Sequence, residues 1–204
     1  HPPEPKPARR MSDLGDGASH GLAPLQPLDL DKIDGFSSML SQMRETAFGG
    51  RQLGAAADIL EDMVTDPDCL VVGTVSGAMT VAQMGLVLAD MLSQGMLDCL
   101  VCTGALVSHG FIEEAGHHKF RHDGHTNDQT LFQLGYNRIY DSIELEQSFD
   151  QVGFVVWDLL DTLDRETPLA SHELCAHLGK SLATQKGRGI LQAAAARNIP
   201  VYIP

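Results

Sequence analysis

Aromatic residues are scarce in this chain, at 5% of 204 positions. Packing must therefore come from alanine, leucine, valine and methionine, which suits helices laid on a parallel sheet. Basic residues are few as well, with 14 Lys and Arg against 27 Asp and Glu and a formal net charge of −13. That balance argues against a nucleic-acid surface, which needs clustered cations. An acidic field instead favours cationic ligands such as polyamines or lysine-rich partners. No apolar run approaches the roughly 18 residues of a membrane span, and the N-terminus lacks the apolar region of a secretory signal. Four cysteines, Cys69, Cys99, Cys102 and Cys175, give no disulfide framework, and a reduced cytoplasmic compartment is the expected setting. The motifs GxGxxG, GxSxG and HExxH are all missing.

What is present is concentrated between Cys69 and Gly110. Cys69-Leu-Val-Val-Gly-Thr-Val75 is short, β-branched and free of charge, as a strand buried on both faces should be. The small polar turn Ser76-Gly77-Ala78-Met79-Thr80 follows. From Thr80 to Gln94 apolar residues recur at Val81, Met84, Val87, Leu88, Met91 and Leu92, which predicts one amphipathic helix closed by Gly95. A second strand, Asp98–Thr103, ends in Gly104-Ala105-Leu-Val-Ser108-His109. Together these make a right-handed βαβ crossover whose two turns lie at the carboxyl ends of parallel strands, where open α/β sheets bind ligands. On pattern alone the turns fit a nucleotide-type ligand or an α/β domain with no dinucleotide.

The rest of the chain frames that unit. Residues 1–34 lack periodicity and read as a flexible lead-in, with Met11 as the natural start and a tag remnant before it. Helical patterns run from Phe36 to Phe48 and from Arg51 to Val64, parted by Gly49-Gly50. Residues 111–136, rich in His, Asp, Asn and Gly, read as a long functional loop. A short strand over Asn137–Ile143 precedes helices at Leu145–Leu163, at Ser171–Leu178 (stopped by Gly179) and at Gly187–Arg197. Ile199–Pro204 begins a strand, and the chain is expected to be a fragment whose sheet a second polypeptide completes.

Several features look chemical. Cys99 and Cys102 have CxxC spacing, but positions three apart in a strand face opposite ways, so their sulfurs should not meet. His117, His118, His122 and His125 form a dense cluster, yet Gly116 and Gly124 argue against the helix that would align ligands, and no metal site is expected. His109, one turn past a strand end, is the best-placed candidate site residue. Asp158, Asp161 and Asp164 step along a helix with Trp157 and fit a charged outer face better than an acid–base pair.

Taken together, Phe48-Gly-Gly-Arg51-Gln-Leu-Gly, Ser76-Gly-Ala-Met, Leu97-Asp-Cys-Leu-Val-Cys-Thr103-Gly-Ala-Leu-Val-Ser-His109, Gly135-Tyr-Asn-Arg-Ile-Tyr-Asp141, His177-Leu-Gly-Lys180 and Asn198-Ile-Pro-Val-Tyr-Ile-Pro204 resemble, in colinear order, the amino-terminal half of deoxyhypusine synthases. The resemblance spans about residues 36–204 and makes 35–204 the expected amino-terminal portion of one domain. It implies a Rossmann-like, mostly parallel sheet with helices on both faces, bound NAD, and a homotetramer built as a dimer of dimers. It also implies a reaction in which spermidine gives up a 4-aminobutyl group to the acceptor lysine of the translation factor 5A precursor.

Carried over residue by residue, the resemblance places Ser76, Gly77, Ala78, Met79 and Thr80 on a first cofactor-contacting turn. Thr103, Gly104 and Ala105 fall on a second. Ser108 and His109 fall where eukaryotic members carry two glutamates that touch polyamine and cofactor, so His109 is expected at both ligands and Ser108 at substrate. Those carboxylates are gone here, which leaves open the polyamine used. None of Lys32, Lys119, Lys180 or Lys186 matches the family's catalytic lysine. That lysine is expected in the second half, without which this chain should be inactive. A homospermidine synthase-like enzyme and a non-catalytic regulatory paralogue are the alternatives.

Overall fold

The computed structural model describes residues 14–184 and 188–204; the start expected at Met11, the stretch before it and Lys186 lie outside them. The chain divides into two compact units, one ending at Thr65 and one running from Asp66 to Pro204.

In the first unit, α1 (Phe36–Arg44) packs on α2 (Phe48–Thr65). The break between them falls at residues 45–47, not at Gly49-Gly50, which open α2. Thr46 closes α1 by donating its hydroxyl to the Met43 carbonyl at 2.6 Å, and Phe48 then turns the chain with φ 55°. A glycine of this segment does matter, further on. A Cβ on Gly54 would lie 2.5 Å from Arg44 N and Leu40 O, so its absence lets the two helices touch.

The second unit is a mixed α/β structure. Its three-stranded parallel sheet has the order β1 (Val72–Val75), β2 (Cys99–Cys102), β6 (Val201–Tyr202), with Val72 opposite Cys99 and Leu100 opposite Val201. Burial alternates along β2, where Leu100 and Cys102 are buried and Cys99 and Val101 half-buried. The core collects Leu88 and Leu92 of α4 (Gly85–Ser93), Leu178 of α8 (Ser171–Ser181) and Leu191 and Ala194 of α9 (Ile190–Arg197) beside Leu100. β1 departs from the expected doubly buried strand. It is an edge, with Leu70 and Val72 exposed.

The predicted single helix over Thr80–Gln94 is two. A short α3 (Ala78–Val81) ends before Gln83, whose φ is 63°, and α4 starts at Gly85. In a continuous helix the Thr80 carbonyl would accept the Met84 N–H. Here Met84 N–H goes to Met79, while the Thr80 carbonyl accepts Gln83 N–H and, at 3.1 Å, the Lys119 ammonium. Periodicity carries no trace of such a distant donor. Gly95 closes α4 with φ 74°, as read.

Residues 111–136 are not a loop. A 3-10 turn (Gly104–Val107) leads into α5 (His109–Glu114), whose Phe111 and Ile112 are fully buried. The strand β3 (Phe120–Arg121) follows, then α6 (Asp128–Gln133), capped by Asn127, whose side chain accepts the Thr130 N–H at 2.9 Å. The expected strand at 137–143 is a hairpin, β4 (Tyr136–Ile139) and β5 (Ser142–Leu145), and β3 pairs with the other side of β5 in a second, antiparallel sheet. After α7 (Glu146–Thr162), α8 runs through Gly179 instead of stopping there. A Cβ on Gly179 would overlap the Leu191 carbonyl, so this glycine serves the close approach of α8 and α9.

Candidate functional site

Two turns meet at the carboxyl end of the parallel sheet. The N–H of Gly77 donates to Thr103 Oγ1 at 3.0 Å. A Cβ on Gly77 would overlap Ala105 Cβ and stand 2.7 Å from Thr103 Oγ1. Gly77 has ordinary helical φ (−59°), so space, not backbone freedom, demands glycine here. Thr80, 2% exposed, donates its hydroxyl to the Gly77 carbonyl at 2.7 Å and braces the first turn from behind.

In front of the turns lies an open groove of about 390 Å³, lined by Thr74, Val75, Ser76, Val101, Thr103 and Pro204 among others. Of the residues singled out from sequence, Ser76 and Thr103 line this groove directly. Gly77 and Ala105 form the contact that joins its two walls. Nothing lies within 4 Å of the Cβ position of Gly104, so that stretch of backbone is open. Ala78 and Met79 start α3, and Met79 is partly exposed. Ser108 Oγ turns back to the Ala105 carbonyl at 3.3 Å.

His109 joins a different group. Its Nδ1 lies 2.5 Å from Oε2 of Glu144, a residue of β5 that is 0% exposed. The ring also stands edge-on to Phe149 of α7, with centroids 5.4 Å apart. On the far side of Glu144, Lys119 Nζ is 3.7 Å from Oε1, 3.4 Å from Glu113 Oε2 and 3.1 Å from the Thr80 carbonyl, and its side chain is 3% exposed. Glu144 Oε1 is itself buried without a hydrogen-bond partner. Burying a carboxylate and an ammonium is costly unless they offset one another, and the same ammonium also meets Glu113, whose side chain is 32% exposed. Lys119, enclosed and engaged, is no free nucleophile.

Glu114 at the end of α5 is a second buried carboxyl. It accepts the N–H groups of Leu191 (3.0 Å) and Gln192 (3.4 Å) at the start of α9. Burial nevertheless pushes its pKa up to about 7, against the pull of those donors. Cys175 is pushed up to about 11, first by burial and then by the neighbouring Cys102 and Glu114. Such thiols stay protonated and inert. Cys99 and Cys102 occupy opposite faces of β2, as their spacing predicts. In the histidine-rich segment, His122 Nε2 hydrogen-bonds the Thr126 carbonyl at 2.9 Å. Asp123 is held down to about 2, chiefly by the Thr126 and His125 N–H groups. Among the described residues, no group of three His, Cys, Asp or Glu side chains is placed to hold a metal ion.

Glu144 and Glu114 escaped the reading of the sequence, which weighed Lys119 only as a catalytic lysine. Glu144 left only a weak signal, a carboxylate set between Ile143 and Leu145. Lys119 left none, since it sits beside His117 and His118 in what reads as a polar loop.

The second unit is thus a mixed α/β structure with an open groove at the carboxyl ends of its parallel strands, the place where proteins of this class bind ligands. The family model described as deoxyhypusine synthase matches residues 38–204, and the chain belongs to that family. A protein of Methanosarcina mazei named "Probable deoxyhypusine synthase 2" is 31% identical over 89% of this chain and 52% of its own length. One of Archaeoglobus fulgidus, "Probable deoxyhypusine synthase 1", is 33% identical over 82% of this chain and 54% of its own. A "Deoxyhypusine synthase-like protein" of Elusimicrobium minutum is 30% identical over 88% and 49%. The chain thus spans about half the length of the curated relatives it matches. Among solved structures, that of a candidate deoxyhypusine synthase from Entamoeba histolytica superposes with a TM-score of 0.60. It is 14% identical, and the match covers 88% of this chain and 62% of that one, a likeness of fold.

Proposed function

We propose that this chain supplies one wall of the active site of an NAD-dependent enzyme that moves a 4-aminobutyl group from spermidine, or a related polyamine, to an amine acceptor such as the lysine of the translation factor 5A precursor. The observation that carries the reading is the contact of the Ser76–Gly77 and Thr103–Ala105 turns at one groove, in a chain of this family. The whole enzyme would comprise a Rossmann-like domain begun at about residue 35, further family sequence completing the sheet beyond β6, and a cytoplasmic homotetramer.

The groove fits part of a dinucleotide. Ser76 Oγ and Thr103 line it, and the first N–H groups of the 3-10 turn, at Gly104 and Ala105, have no intrahelical acceptor and can donate to a polar ligand. NAD, when bound, supplies the means to take a hydride from the carbon beside the secondary amine and to return it after transfer. This chain's residues bind and orient. The tight Gly77–Ala105 contact fixes the groove's width, while a net charge of −13 draws in a cationic amine. His109, which opens α5 directly after the second turn, is the imidazole that would meet that amine. The covalent step from imine to acceptor needs a lysine that none of the described lysines supplies in this reading.

Purified with a polypeptide that continues the family sequence, the chain should reduce NAD only when spermidine is present, releasing 1,3-diaminopropane. Reconstituted protein that binds NAD yet ignores spermidine, while a short diamine restores turnover, would favour the homospermidine-type reaction. Full inertness with both ligands bound would mark a regulatory paralogue.

A further inference from the structure

His109 and Glu144 form a pair that the proposed activity does not by itself require. Glu144 is fully enclosed, so no ligand in the groove can reach it. Its one close partner is the His109 ring, which remains 29% exposed. An ionised carboxylate can only accept hydrogen bonds. Paired at 2.5 Å with Nδ1, it holds the neutral imidazole with the proton on Nδ1. Phe149, edge-on at 88°, limits ring rotation. Nε2 then carries an open lone pair, and among the described residues no protein group hydrogen-bonds it. The other face of Glu144 looks toward Lys119, 3.7 Å away, which offsets its charge without taking His109's place.

We propose that Glu144 is a positioning residue: by accepting the Nδ1–H of His109 it fixes the tautomer in which Nε2 is an acceptor for an N–H of the cationic amine substrate. The ligand in this statement rests on the polyamine reading above, whereas the Glu144–His109 relation does not. A hydrogen bond that served stability alone would fix the same tautomer, so what marks a positioning role is a ligand response at Nε2 that the variant loses.

The substitution Glu144→Gln separates the two. Lys119, a cation, will draw the amide oxygen, which turns the amide NH2 toward His109. Nδ1 must then accept, and the proton moves to Nε2. The full chain, labelled with 15N at histidine, reports this directly at about pH 8.5, well above the ordinary imidazole value. The His109 signals are identified by their loss in His109→Asn. Wild type should show the Nδ1–H pattern and Glu144→Gln the Nε2–H pattern. Spermidine titrated into wild type should move the Nε2 resonance, and the dissociation constant should weaken about tenfold or more in the variant, the loss of one charge-assisted hydrogen bond. A wild-type spectrum with the proton on Nε2 overturns the proposal without recourse to any variant, and so does an unchanged tautomer in a folded Glu144→Gln. If the tautomer switches as expected but spermidine moves neither spectrum, Glu144's role stands and the polyamine reading of the site fails.

Discussion

Replacing Glu114 by glutamine should remove that residue's share of the pH dependence of stability in the second unit. An ordinary glutamate ionises near 4.5, whereas the Glu114 carboxyl, enclosed between α5 and the start of α9, ionises near 7. Between those values the folded protein keeps a proton that the unfolded chain has released. Stability therefore falls as pH rises from about 4.5 and levels off above about 7. A gap of roughly two and a half pH units, at about 1.4 kcal/mol per unit, makes the loss about 3 kcal/mol. Glutamine has the same shape and keeps one oxygen for the Leu191 N–H, but it cannot ionise. At pH 4.5 the two proteins should differ by about 1 kcal/mol or less. By pH 8 the variant should be the more stable by about 2–3 kcal/mol. Urea unfolding of the full chain at several pH values, compared as the difference between the two proteins, removes the titrations they share. Parallel profiles for wild type and Glu114→Gln would refute the buried, proton-holding carboxyl.

Gly77→Ala should destabilise by about 1–3 kcal/mol, because its Cβ has no room beside Ala105 and Thr103; thermal unfolding reads the loss, and adding Ala105→Gly should recover most of it. Lys119→Met should cost about 3–5 kcal/mol by leaving Glu144 enclosed without its cation. Pairing it with Glu144→Gln should return a large part, and a single variant as stable as wild type in urea would contradict the cluster.

The sequence showed most where neighbours in the chain decide the outcome. Strands at Val72–Val75 and Cys99–Cys102, their small-residue turns and the Gly95 helix stop all follow from local pattern, and the structure brings the turns together. It showed least where distant residues decide. The helix over Thr80–Gln94 divides at Gln83, beside a Thr80 carbonyl that accepts the Lys119 ammonium from 39 residues on. Gly179 reads as a helix stop but is a point of contact between helices, since glycine leaves the same mark for conformation and for space. His109 was legible from its place after a strand; its partner Glu144 was not, because the hairpin that carries it is too short for periodicity to register. Residues 111–136 mislead for a related reason: a polar composition hides Phe111 and Ile112, two fully buried residues.

The central claim is that the turns after β1 and β2 form the cofactor face. Backbone amide spectra of the 15N-labelled chain, followed while NAD is added, test it most directly because they register even weak binding. The account predicts that the amides of Ser76, Gly77, Thr103, Gly104 and Ala105 move first and together, with those of α7 unaffected. Shifts confined to other surfaces, or none at millimolar NAD in a folded protein, would contradict it.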